Sequence, residues 1–154
     1  MGVVSIASVK LDERTERIPG EARFRRANRL RSPLDFARVR TAGRSVNGRH
    51  LSLGYAAHVG EPEAPVRIGF SVSKRVGGAV VRNRVKRRLR EAARHKVLSL
   101  AVGWDIVITA RPAAAQASYA ELDAELRQLL TRAALWRGRD ETAEQAEEAR
   151  QDLP

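Results

Sequence analysis

The chain has 154 residues, and its 29 Lys and Arg against 18 Asp and Glu give a formal net charge of +11 and a sequence pI of about 11.3. The absence of Cys excludes disulfides, thiolate metal sites and Cys nucleophiles, and no apolar run approaches the ~20 residues of a membrane span. The N-terminal residues also lack a secretory signal pattern, so we expect a cytoplasmic protein whose excess positive charge binds phosphate backbones.

The composition divides the chain into three parts. Residues 1–22 mix both signs of charge without a sustained period, which predicts a flexible extension. Residues 138–154 carry six acids against two Arg and predict an acidic tail. Residues 23–137 therefore have to supply a single folded domain.

The first half of this domain predicts one helix and two strands. Ser32 followed by Pro33 is a helix-start signal, and the helix is expected to stop near Gly43. Residues 44–57 alternate between apolar and polar positions, which predicts one half-buried strand. Residues 66–73 alternate in the same way and predict a second strand, paired with the first as a long hairpin.

The second half predicts two longer helices around a strand. A basic helix follows Gly77 and Gly78, and the β-branched run at 103–111 predicts a third strand. Ser118, with Glu121 three residues later, predicts a capping box at the start of the last helix. The fold class is α+β, a small αβ sandwich in the order helix, two or three strands, helix, strand, helix. A strand, helix, strand crossover is right-handed in about 98% of cases.

The basic helix carries the clearest functional signal. Residues 71–96 hold ten Lys and Arg against one acid, Glu91, and an apolar stripe occupies one side of the helix. Arg82 and Arg84 in the first turn can present planar guanidinium groups to phosphate oxygens, beside free backbone amides. Crowded cations repel one another unless a partner screens them, so we predict a binding site for a polyanion.

Residues for hydrolysis by the protein itself are not grouped in the sequence. A metal-dependent nuclease needs converging carboxylates, whereas the acids of residues 23–137 fall mostly on loops and outer helix faces. His50, His58 and His95 lack metal-ligand spacing, and the phosphate-binding pattern GxxxxGK[ST] is absent. We therefore predict no catalytic residue and no metal site in this chain.

The stretch SVSKRVGGAVVRNRVKRRLRE closely resembles the signature of the bacterial ribonuclease P protein subunit, with its Arg-Asn-Arg core. NRLRSPLDFARVRTAGRS looks like that family's N-terminal helix, and GWDIVITARPAAAQASYAELDAELRQLL looks like its last strand and helix. The resemblance covers about Arg25 to Trp136. It implies that the strand, helix, strand crossover is left-handed, against the general rule.

The resemblance implies the protein subunit of an endoribonuclease. In that family the RNA subunit is the catalyst and uses Mg²⁺, bound mainly by RNA, to remove the 5′ leader of precursor tRNA. The implied partners are ribonuclease P RNA and precursor tRNA, with no DNA and no membrane. The residues implied to bind the RNA subunit are Lys74, Arg75, Arg82, Asn83, Arg84, Lys86, Arg87 and Arg90.

A cleft between the first helix and the sheet is implied to hold the single-stranded leader. Two positions depart from the family pattern, because Arg40 and Gly54 stand where many relatives have aromatics, so stacking should be weaker here. The implied cleft residues are Phe36, Arg40, His50, Ser52 and Gly54. Two alternatives remain open, a ribosomal or general structural RNA-binding protein and a protein-only nuclease.

Overall fold

The computed structural model describes residues 25–137, so both predicted tails, residues 1–22 and 138–154, lie outside the described residues. Between residues 25 and 137 no helix is both long and apolar enough to cross a membrane. The same range forms helices and strands in the predicted order. They are α1 (Pro33–Ala42), β1 (Arg44–Asn47), β2 (Leu51–Ala57), β3 (Arg67–Ser71), α2 (Ala79–Arg94), β4 (Trp104–Ala110) and α3 (Tyr119–Arg132).

The four strands form one mixed sheet in the order β1-β2-β4-β3. β4 pairs antiparallel with β2 and parallel with β3. The predicted hairpin between residues 44–57 and 66–73 is therefore wrong, because β4 lies between their strands. β3, α2 and β4 form the predicted strand, helix, strand unit with parallel strands, and its left-handed connection stays a prediction.

The tight turn between β1 and β2 replaces the single strand predicted for residues 44–57. The backbone N–H of Gly48 donates to Leu51 O at 2.8 Å, which leaves Arg49 and His50 at the tip. The Glu125 carboxylate of α3 accepts the backbone N–H groups of His50 at 2.8 Å and Leu51 at 2.6 Å. The apolar–polar alternation continues through residues 48–50, so the sequence pattern does not indicate a turn there. The turn is stabilised by the Glu125 carboxylate, which is distant in sequence.

Side-chain caps start two of the three helices as the sequence predicts. Ser32 Oγ accepts the Leu34 N–H at 3.2 Å at the start of α1, where Pro33 takes the first helical position. At α3 the Ser118 hydroxyl accepts the Glu121 N–H at 3.1 Å, and the Glu121 carboxylate accepts the Ser118 N–H at 3.0 Å. Both bonds satisfy amides that the helix cannot pair, and they confirm the predicted capping box.

Helices cover both faces of the sheet. α2 and α3 pack on one face over a core that includes Leu51, Leu53 and Ile106, all fully buried. α1 packs on the other face, where Val39 and Val107 belong to a smaller apolar cluster. Since α1 covers that face with one short helix, open grooves remain on each side of it.

A buried ion cluster holds α1 on the sheet. Asp105 of β4 has no exposed surface, and it accepts Nε and Nη2 of Arg67, both at 2.8 Å. Arg38 of α1 donates to the same carboxylate and to Ala57 O. The hydrogen bonds of Arg67 to Asp105 raise the pKa of the Arg67 guanidinium against the opposing effect of partial burial. The cluster therefore fixes the position of α1 over β2, β3 and β4.

Candidate nucleic-acid interface

The N-terminal end of α2 is open. Gly77 has a φ of 156°, and a Cβ at this position would lie 2.9 Å from Val81 Cγ1, so only glycine fits without strain. Gly78 is the N-cap residue and has no side chain that could accept from the first turn. The first amides of α2 are thus available to an anion, as the sequence predicts.

Polar side chains of α2 lie on three sides of its buried stripe. Arg84 and Arg88 lie on one flank, where they donate to Ala115 O at 3.4 Å and Ala117 O at 2.8 Å. Lys86 and Arg90 lie on the opposite flank, beside β3. Asn83 and Arg87 are exposed between the flanks. We call the set Arg82, Asn83, Arg84, Lys86, Arg87 and Arg90 the cationic ridge.

Two guanidinium nitrogens of the ridge lack a protein partner. Nε of Arg82 and Nε of Arg84 are buried and have no hydrogen-bond partner among residues 25–137. An unpaired buried donor is costly, so a water molecule, an ion or a ligand is expected to accept from it. Lys74 and Arg75, in the turn before α2, are exposed near the same end. The structure therefore places all eight residues predicted to bind the RNA subunit on α2 or in the turn before it, with Arg84 on the flank opposite to Lys86 and Arg90.

Other cations of the basic segment are held by acids within the protein. Lys96 is buried and donates to Asp123 of α3 and to Ala92 O. Arg94 forms an ion pair with Glu91 at 2.6 Å, and the hydrogen bond from Arg94 is the main cause that lowers the pKa of Glu91. The positive charge that the sequence shows for residues 71–96 is thus larger than the charge that the ridge presents.

α1 separates two grooves on its face of the sheet. The first, which we call the α1–β2 groove, has a volume of about 180 Å³ and contains Arg40, Ser52 and Gly54 of the predicted leader cleft. A Cβ on Gly54 would lie 3.3 Å from Val39 Cγ1, so a larger side chain there would press on α1. Its full lining is Val39, Arg40, Gly43, Arg44, Ser45, Ser52, Gly54, Val107 and Thr109.

The second groove, which we call the β3 groove, lies on the other side of α1 and has a volume of about 380 Å³. Phe36 of the predicted cleft lies here, with its ring directed at Gly69 of β3. The structure thus separates Phe36 from Ser52 and Gly54, whereas the Arg40 guanidinium lies 6.0 Å from its ring centroid. The β3 groove is lined by Arg29, Leu30, Arg31, Phe36, Ile68, Gly69, Phe70, Lys86 and Arg90.

His50 is not with the other cleft residues, and its predicted position needs correction. Its ring is buried, and Nδ1 lies 3.1 Å from Glu125 Oε1 of α3. α3 packs on the opposite face of the sheet from α1. The turn at Arg49 and His50 breaks the alternation that had assigned His50 to the face of Ser52 and Gly54.

Sequence reasoning did not assign Arg29, Arg31 and Phe70 to a site. Arg29 forms a parallel bridge with Ile68, and Leu30 N–H donates to Ile68 O at 3.0 Å, so this segment extends along the outer edge of β3 and pairs with it. The alternation of Arg29, Leu30 and Arg31 was the available signal, because it is typical of an extended segment with one buried side chain. Within residues 25–137 no group of three or more His, Asp or Glu is placed to hold a metal ion.

The chain is similar in sequence and structure to proteins that are already known. A family model described as Ribonuclease P matches residues 24–134. The ribonuclease P protein component of Roseiflexus castenholzii is 44% identical over 116 residues, covering 75% of this chain and 93% of that protein. The corresponding protein of Streptomyces avermitilis is 49% identical over 113 residues, covering 67% and 92%. The structure of a Staphylococcus aureus RNase P protein mutant with defective mRNA degradation activity matches with a TM-score of 0.66 at 31% identity, covering 71% of this chain and 91% of that one.

Proposed function

The chain belongs to the ribonuclease P protein family, and we propose that it binds the RNA subunit of that ribonucleoprotein through the cationic ridge of α2. As a ribonuclease P protein component it is part of an endoribonuclease complex with an RNA partner. The observation that carries the proposal is the pair of buried, unpartnered Nε groups of Arg82 and Arg84 at the open end of α2. Phosphate oxygens can bind the part-exposed guanidinium groups of these two residues together with the first amides of the helix.

The RNA subunit, rather than this protein, carries out the hydrolysis in our proposal. Three of the described acids, Asp105, Asp123 and Glu125, are engaged by Arg, Lys or backbone N–H groups inside the fold. In this proposal Mg²⁺ is bound mainly by the RNA subunit, and residues 25–137 contain no group of three or more His, Asp or Glu placed to hold a metal ion. The protein contributes positive charge and shape, and it works in the cytoplasm, as its sequence leads us to expect.

The substrate is precursor tRNA, and the α1–β2 groove holds its single-stranded 5′ leader. Arg40 and Arg44 supply positive charge there, and Ser52 and Thr109 supply hydroxyl groups. The lining contains no aromatic ring, so phosphate and sugar contacts prevail over base stacking. The expected consequence is a weak preference for leader sequence.

Reconstitution tests whether cleavage of the leader requires the RNA, the protein or both. Precursor tRNA is incubated with the protein alone, with ribonuclease P RNA alone at low Mg²⁺, and with both. We expect leader removal to be efficient only when both are present. Cleavage by the purified protein alone would identify a protein-only nuclease, and binding without any stimulation of cleavage would favour a structural RNA-binding role.

Substitution of the ridge tests the interface. Arg82→Ala with Arg84→Ala should weaken binding to ribonuclease P RNA and lower the slope of log K against log salt by about 0.9 for each phosphate that is no longer neutralised. Arg82→Ala alone leaves the bond of Arg84 to Ala115 O intact. A loss of affinity in this single variant therefore reports lost RNA contact and not lost packing of α2. The matched control is Arg127→Ala with Arg132→Ala, which removes two charges from α3 together with the contact of Arg127 with Trp136 and the bond of Arg132 to Asn47 O. A slope unchanged from wild type would place the RNA elsewhere.

A further inference from the structure

The acidic tail, residues 138–154, is opposite in charge to the folded domain that precedes it. Residues 23–137 hold 24 Lys and Arg against eight Asp and Glu, whereas the tail holds six acids against two Arg. One third of the 18 acids of the chain therefore follow directly on a strongly cationic domain. The six acids are Asp140, Glu141, Glu144, Glu147, Glu148 and Asp152.

The acidic tail leaves the domain beside the C-terminal end of α2. Arg137 N–H donates to Ser99 O at 2.6 Å, and Ser99 belongs to the short 3-10 turn that follows α2. Lys86 lies eight residues before the end of α2, which is about 12 Å along the helix axis. The 17 residues of the tail span up to roughly 56 Å when extended, so they are long enough to reach Lys86.

Four cations of the β3 groove form a surface that fits an acidic chain. Partial burial lowers the pKa of the Arg29 guanidinium, and the neighbouring charges of Arg31, Arg90 and Arg26 lower it further. The described residues that line the groove contribute no carboxylate. Like charges thus repel one another at this surface, and nearby carboxylates would screen them. The four cations are Arg29, Arg31, Lys86 and Arg90.

Two other cationic surfaces fit the acidic tail less well. On α3, Arg127 and Arg132 lie beside Asp123, whose carboxylate reduces the positive charge of that surface. The α1–β2 groove has two cations among its described lining residues, Arg40 and Arg44, and it lies on the other side of α1 from the β3 groove. The balance of charge therefore favours the β3 groove.

We propose that the acidic tail lies along the four cations of the β3 groove in the free protein, and that RNA has to displace it from them. Single exposed ion pairs are weak, but attachment to the same chain keeps the carboxylates at a high local concentration. Lys86 and Arg90 also belong to the cationic ridge, so the tail and the RNA subunit compete for the same side chains. The competition rests on the proposed function, whereas the contact of the tail with the groove does not.

Carbodiimide cross-linking of the full-length protein without RNA tests the contact, because the reagent joins carboxylates to Lys amines that touch them. The Lys residues of the chain are Lys10, Lys74, Lys86 and Lys96, and Lys96 is buried. We expect peptides of residues 140–152 joined to Lys86 in the monomer fraction. Lys86→Arg should abolish this product, and ~1 M NaCl should suppress it. Absence of a product with Lys86, with or without tail products at Lys10 or Lys74, would overturn the inference.

Two full-length variants with the same change of charge test the competition. The tail variant carries Glu141→Gln, Glu144→Gln, Glu147→Gln and Glu148→Gln. The control variant carries Asp12→Asn, Glu13→Gln, Glu16→Gln and Glu21→Gln, in the other segment outside the domain. Because each variant loses four negative charges, a general effect of net charge on RNA binding is the same for both.

At ~50 mM salt we expect the tail variant to bind ribonuclease P RNA about threefold or more tightly than the control variant, and the difference to vanish at ~0.5 M salt. Equal affinities of the two variants at low salt would overturn the competition. The Arg82 and Arg84 variant reports separately on the proposed function. If that variant binds RNA as the wild type does, the proposed function fails, whereas the cross-link to Lys86 still supports the contact of the tail.

Discussion

Asp105→Asn removes the charge that joins α1 to the sheet while keeping the side-chain size. The carboxylate has no exposed surface and accepts two hydrogen bonds from Arg67 and one from Arg38. Hydrogen bonds to charged groups contribute roughly 1.5–3 kcal/mol each, so three give about 5–9 kcal/mol before solvent is considered. The side chains of Arg38 and Arg67 are 25% and 26% exposed, so water recovers part of this energy.

We expect a net loss of about 3 kcal/mol in the free energy of unfolding, at the lower end of the range for breaking a buried ion pair. Urea denaturation followed by circular dichroism measures it, and with a typical m value of ~1–3 kcal/mol/M the midpoint should fall by roughly 1–3 M. The Asn amide adds a second effect, because its NH₂ group faces guanidinium donors and cannot accept from them.

The control is Glu91→Gln, which removes a carboxylate from an exposed ion pair with Arg94 and His95. Exposed pairs contribute ~0–1 kcal/mol, so this midpoint should move little. A shift for Asp105→Asn no larger than that for Glu91→Gln would refute the reasoning that the buried cluster fixes α1. With α1 loosened, leader-dependent binding should fall as well, because the α1–β2 groove borders this helix.

Three further predictions concern other contacts of α3. Glu125→Ala should cost about 2–3 kcal/mol in chemical denaturation, because the part-buried N–H groups of His50 and Leu51 would have no acceptor, whereas Glu125→Gln keeps an oxygen and should cost less. Asp123→Ala should lower the melting temperature more than Lys96→Met does. The first variant leaves the buried Lys96 ammonium without its carboxylate partner, whereas the second removes the charge and Met fills the space of the Lys side chain. The Ser118 backbone N–H and hydroxyl lower the pKa of Glu121 below its ordinary 4.5, so its stabilising effect is complete above that pH and is lost as the pH falls through the lowered value. Glu121→Gln should therefore flatten the fall in stability below about pH 4.5 in acid titrations followed by circular dichroism.

Helix starts and the charge of α2 were predictable because short-range interactions decide them. The Ser32 cap and the Ser118 capping box each satisfy amides within three residues of the cap, so the sequence shows both partners together. The ridge follows from helical spacing in the same way. The resemblance in the basic segment identified the family because its signature is one continuous stretch.

Strand pairing and the turn at residues 48–50 depended on partners far along the chain. Alternation shows that residues 51–57 and 67–71 are half-buried strands, but it carries no information on which strand lies beside them. β4 lies between them only because α2 returns the chain to the same sheet. The turn is held by Glu125, about 75 residues away in sequence, and this interaction moved His50 out of the predicted cleft.

The sequence by itself determined that this protein is cationic, α+β and similar to ribonuclease P proteins, because composition, periodicity and a contiguous motif are local properties. Only the tertiary structure decided how the cations are used. It paired Lys96 with Asp123, left Nε of Arg82 without a partner among residues 25–137, and brought Arg29 beside Arg90 in the β3 groove. These outcomes depend on distances between residues that are remote in the chain, and packing of the helices on the sheet sets those distances.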